Sequence, residues 1–162
     1  MTGFWRLWIV IMTVAAALVT GFGLRPGMTG QWWPVAGLWA AAVWASYGLS
    51  VWSAVALMLL GVMMDYMTEG PIGAWPLALL SAYGVGLVAW DRAPPIAGFI
   101  AEGITVIGGM IAAGLALWIA GSISGQAGFW RDGFFYDFLL TALLYPAARF
   151  AFVVADPKEQ RR

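Results

Sequence analysis

The sequence predicts an all-α integral membrane protein, a compact bundle of about six transmembrane helices with short loops. Three observations predict it. Of the 162 residues, 62% are hydrophobic and only 10% are charged, too few to keep the surface of a soluble domain dispersed. The charges gather between long apolar runs, as in membrane-embedded chains, and the mean hydropathy is +0.84. A helix crosses a bilayer in roughly 20 residues, so about six crossings consume most of the chain. No length is left for a separate soluble domain, and residues 1–162 are expected to form a single transmembrane helical-bundle domain.

The first span, residues 7–24, follows Arg6. Its Ala15-Ala16-Ala17 resembles a signal cleavage site, but the apolar run continues to Leu24, so a retained helix is expected. The charge-free run of residues 32–67 is too long for one crossing. Ser46-Tyr47-Gly48-Leu49-Ser50 is where it should break, giving spans at 33–50 and 51–67; without that break the chain has five spans. Gly70-Pro71-Ile72-Gly73 has the residue types of a tight turn into the fourth span, 72–90. There Pro71 presets the backbone, and Pro76 lies in the first turns, where a missing N–H costs least. Asp91-Arg92 and Pro94-Pro95 make a stiff connection to the fifth span, 97–121. After the longest outer loop, 121–133, the sixth span covers 134–155 and carries Pro146 in its middle, where a kink is expected.

Positive charges set the orientation. With six spans and a cytoplasmic N-terminus, Arg6, Arg92, Lys158, Arg161 and Arg162 lie inside, and only Arg25 and Arg131 lie outside. Both termini are therefore expected in the cytoplasm of a multi-pass inner-membrane protein. The Trp residues fit belts, with Trp5, Trp8, Trp52 and Trp90 near the inner interface and Trp32, Trp33, Trp75, Trp118 and Trp130 near the outer one. Trp39 and Trp44 lie deeper. Small residues recur every four positions at Gly37, Ala41 and Ala45, at Gly109 and Ala113, and at Ala112 and Ala116, where helices are expected to approach closely.

The chain has no Cys and no His, which excludes disulfides, thiolate or imidazole metal sites, and Ser-His or Cys-His catalysis. Its eight carboxylates are scattered, so no metal site is expected, and no nucleophile–base pair or phosphate loop appears. A formal net charge of +0 gives no electrostatic reason to bind nucleic acid. Two acids stand out. Asp65 lies four residues after Gly61 on one helix face, placed for its carboxylate to accept N–H groups from the turn at 68–73. Glu102 lies about one turn into the fifth span and either snorkels to the cytoplasmic interface or lines a polar cavity. Asp137 and Arg149 are too far apart along the last span to pair, and Arg149 is expected to reach anionic headgroups.

Gly61-x-x-x-Asp65, then Gly70-Pro71-Ile72-Gly73 and an apolar span beginning with Ala74 and Leu77, resembles the central motif of the bacterial rod shape-determining MreD family. Leu143-Leu144-Tyr145-Pro146 is similar to that family's closing Leu-Tyr-Pro element. Length and span count agree, and Trp44 stands where many members have a Trp, although Tyr47-Gly48-Leu49 replaces the Arg-Pro pair that often follows it. The resemblance implies a non-enzymatic inner-membrane component of the cell-wall elongation machinery of rod-shaped bacteria. It further implies that the bundle docks the bitopic shape protein MreC, and through it works with MreB filaments and the peptidoglycan synthases. Gly61, Asp65, Gly70, Pro71, Gly73, Tyr145 and Pro146 would then form the structural or partner-binding motif.

The family's bundle is also similar to the substrate-binding subunits of vitamin transporters in the energy-coupling-factor class. A second reading follows, a small-solute-binding membrane subunit with a pocket near Asp65 or Glu102. Neither reading requires a cofactor. Trp32-Trp33-Pro34 is faintly similar to the loop of tryptophan-rich sensory proteins, but the double proline and following aromatic pattern are missing.

Overall fold

A computed structural model of the chain describes residues 11–12, 15–16, 18, 34–92, 98–125 and 134–152. Among them the fold is all-helical, without strands. The helices are α1 (Ala36–Ser46), α2 (Val51–Thr68), α3 (Ala74–Arg92), α4 (Gly98–Ile123) and α5 (Phe134–Phe152). The predicted first span lies largely outside the described residues, but Ala16 is buried in the core and Met12 packs against it.

Helix α1 is apolar around its whole circumference, so no face suits water, and all 11 of its residues are buried. It touches each of the other four helices and forms the centre of the bundle. At 1.5 Å per residue it is only about 16 Å long, shorter than the span read from sequence. The chain leaves it at Tyr47 and Gly48, whose N–H groups bond to the carbonyls of Trp44 and Ala45. Gly48 then takes φ +89°, a conformation glycine adopts without penalty. Ser50 is extended, and its hydroxyl accepts from the Ser53 N–H at 3.4 Å to start α2. The charge-free run therefore breaks within 46–50. Tyr83 of α3 fixes this loop, donating its hydroxyl to the Gly48 carbonyl (2.9 Å) and accepting from the Ser50 N–H (3.0 Å).

Small residues set the packing. Ala45 of α1 and Thr105 of α4 both press on Gly86 of α3, where an added Cβ would lie 2.5 Å from the Ala45 methyl. Gly109 of α4 meets Ala82, so α3 and α4 run antiparallel, and together they form the most extensive helix pair. Gly37 of α1 meets Leu79, so α1 runs alongside α3 in the same direction. These close approaches supply the packing that lipid cannot drive hydrophobically.

Helix α5 carries Pro146 within it and continues to Phe152. Proline offers no N–H to the Ala142 carbonyl. At the neighbouring carbonyl, that of Thr141, the Trp39 indole N–H donates at 2.8 Å. The Thr141 hydroxyl also accepts from the Val35 N–H at 2.8 Å, so α5 is tied to the start of α1.

Among the described residues two helices, Val51–Thr68 and Ala101–Ile123, are long and apolar enough to cross a membrane. The outward faces of α2, α4 and α5 are apolar, with Leu59, Ile107 and Leu143 all exposed, the pattern of a surface that faces lipid or another protein. Trp52 and Trp118 are exposed as belt residues would be, but Trp75 is not: it is fully buried, because its indole is needed inside the α2–α3 turn.

Candidate functional site

The sequence-predicted residues form two separate joints at opposite ends of the bundle. The first is the α2–α3 turn. Helix α2 ends at Thr68, one residue beyond the predicted span, because Glu69 enters the left-handed region at φ 51° and its N–H closes onto the Asp65 carbonyl. Gly70 N–H bonds to the same carbonyl at 3.3 Å. Gly73 takes φ +91°, so α3 starts at Ala74 and not at residue 72.

The first N–H groups of a helix have no intrahelical partner. Here every one is accounted for. Ala74 N–H donates to the Pro71 carbonyl and Leu77 N–H to that of Gly73, each at 3.1 Å. Pro76 has no N–H, and the remaining donor, Trp75 N–H, meets Asp65 Oδ1 at 2.9 Å. The other carboxylate oxygen, Oδ2, accepts from Gly73 N–H at 2.5 Å.

Asp65 is only 4% exposed, and it places its negative charge at the positive end of the α3 dipole. Sequence placed the donors within the turn at 68–73; one of them, Trp75, lies just beyond it. Thr68 completes the joint, accepting the Trp75 indole N–H at 3.2 Å and donating to the Met64 carbonyl at 2.8 Å. Gly61 explains its own identity. A Cβ there would lie 2.3 Å from the Pro76 nitrogen, so α2 and α3 meet backbone to ring. Pro71 contributes a carbonyl, while Gly70 contributes an N–H.

The second joint links α4 to α5. Glu102 Oε1 accepts from the Tyr145 hydroxyl at 3.1 Å and pairs with Arg149 Nε at 2.9 Å. Tyr145 and Arg149 are four residues apart, one above the other on α5. Glu102 therefore does not simply snorkel, and Arg149, expected to reach headgroups, holds an acid while keeping its side chain 43% exposed. This partnership went unread in the sequence. The i, i+4 spacing of Tyr145 and Arg149 was the available signal, but nothing local points to Glu102.

Asp65 and Glu102 are not brought together. Trp75 and Gly86 are separated by a rise of about 16 Å along α3. Glu102 lies farther still, on the α4 turn before Thr105, which meets Gly86. A narrow cavity of about 10 Å³ lies between them, lined by Leu38, Ala42, Ala82, Thr105, Gly109 and Tyr145. Its size is that of a single water site, and neither acid lines it. Among the described residues no group of three or more carboxylates is placed to hold a metal.

The fold and the two joints thus define an all-helical bundle with apolar outward faces and acids used between helices. Comparison with protein-family models, with curated proteins and with solved structures found no match.

Proposed function

We propose that this chain is a multi-pass inner-membrane scaffold of the rod-shape and cell-wall elongation machinery, docking an MreC-like bitopic protein and linking it to peptidoglycan synthesis. Its six-span topology and cytoplasmic termini belong to the same proposal. The motifs that resemble the MreD family supply the starting point. The observation that carries the scaffold reading over solute binding is the use of the two acids. Both oxygens of Asp65 hold the start of α3, and Glu102 holds α5, so each serves a joint between helices. A bundle stiffened in this way, with exposed apolar helix faces, suits docking of a transmembrane helix.

Photo-crosslinking in native membranes tests the proposal, with probes at two exposed positions, Tyr66 on α2 and Leu143 on α5. Crosslinks to the bitopic shape protein or to a peptidoglycan synthase are expected. Crosslinks confined to an ATPase-coupled transporter core would overturn the scaffold and favour solute uptake.

A further inference from the structure

Among the described residues, Glu69 is the only non-glycine with a positive φ. A left-handed helix end is where glycine is favoured, and Gly70 follows directly. The backbone of Glu69 serves the turn through its N–H, but its side chain is exposed and has no partner among the described residues. Strain retained at such a position points to a use for the side chain. Tyr66 and Ile72 flank it, exposed to 88% and 97%. Beneath all three, the turn is fixed by the Asp65 carboxylate, by Thr68 against Trp75, and by the Gly61–Pro76 contact.

Among the described residues, Glu69 is the one exposed charged side chain at this end of the bundle, since Asp65 and Asp137 are buried and no Lys or Arg lies there; at the other end Arg92 and Arg149 are accompanied by Asp91 and Glu102. We infer that Tyr66, Glu69 and Ile72 form a rigid docking knob for a partner segment that sets Lys or Arg beside apolar side chains, just beyond the partner's membrane span. This rests on the scaffold reading and names its contact element. A preformed knob loses little freedom on binding, and complementary charge fixes the register. An anionic lipid surface is a poor occupant, because it repels the Glu69 carboxylate.

The test places a photo-reactive residue at Ile72 in the full chain in native membranes, with a second probe at Leu143 as reference. The expected product is an Ile72 crosslink to a single-span protein, at a peptide with Lys or Arg next to apolar residues. Its yield should fall about tenfold in E69K and measurably in E69Q. E69G should also lose yield while its thermal midpoint stays level or rises, since glycine relieves the backbone and removes the carboxylate. Unchanged yield in both E69K and E69Q overturns the inference, as do Ile72 crosslinks only to lipid or to a second copy of this chain. Capture of the single-span protein at Leu143 but not Ile72 also overturns it while leaving the scaffold intact; capture at neither position removes both.

Discussion

Asp65 and Glu102 each close a joint between two helices, yet the joints are built from different partners. Asp65 is buried and accepts from main-chain N–H groups eight and ten positions along the chain. Glu102 is partly exposed and meets two side chains of α5, the nearer of them 43 positions away. Backbone donors cannot rotate away or be replaced, so the Asp65 joint has one geometry. Side-chain partners can adjust, and the exposed Arg149 end is shared with its surroundings. The comparison predicts a stiff α2–α3 hairpin and a more forgiving α4–α5 contact.

The largest effect is expected at Asp65. Asp65→Ala removes the acceptor of two N–H groups, that of buried Trp75 and that of exposed Gly73, and should cost about 2–5 kcal/mol, read as a lowered thermal midpoint in detergent. Asp65→Asn, which keeps one acceptor oxygen, should fall between that variant and the parent. Gly61→Ala comes next. Its Cβ meets the Pro76 ring, which cannot move aside as a flexible side chain would, and the cost should be about 1–3 kcal/mol in the same assay.

Tyr83→Phe should cost about 1 kcal/mol by freeing the Gly48 carbonyl and the Ser50 N–H. The smallest effect is expected at the other joint. A double-mutant cycle of Glu102→Gln and Arg149→Gln should give a coupling of about 0.5–1 kcal/mol, because Arg149 is half in solvent. A coupling larger than the loss at Asp65 would reverse the comparison.

The same contrast explains what could be read in advance. The α2–α3 turn was legible because its partners are close in sequence: an acid at a helix end, a Gly-Pro-x-Gly turn and a glycine one turn earlier. The break at 46–50 was legible for the same reason, with Gly48 and Ser50 carrying turn and cap chemistry. The Glu102–Tyr145–Arg149 contact was not, since the pairing depends on how α5 lies against α4, and no local spacing encodes that. The burial of Trp75 was not legible, because Trp has a general preference for membrane surfaces and only the folded turn shows Thr68 giving this indole a partner inside the joint. The length of α1 was misjudged because hydrophobicity continues through Tyr47 and Leu49, where the helix has already ended.

Asp65 joins the end of α2 to the start of α3, and hydrogen exchange at the Gly73 and Trp75 amides in lipid nanodiscs reads that joint. Both amides should be strongly protected in the parent protein and exchange roughly 100-fold faster in Asp65→Ala. Free exchange of these amides in the parent, or equal protection in the variant, would contradict it.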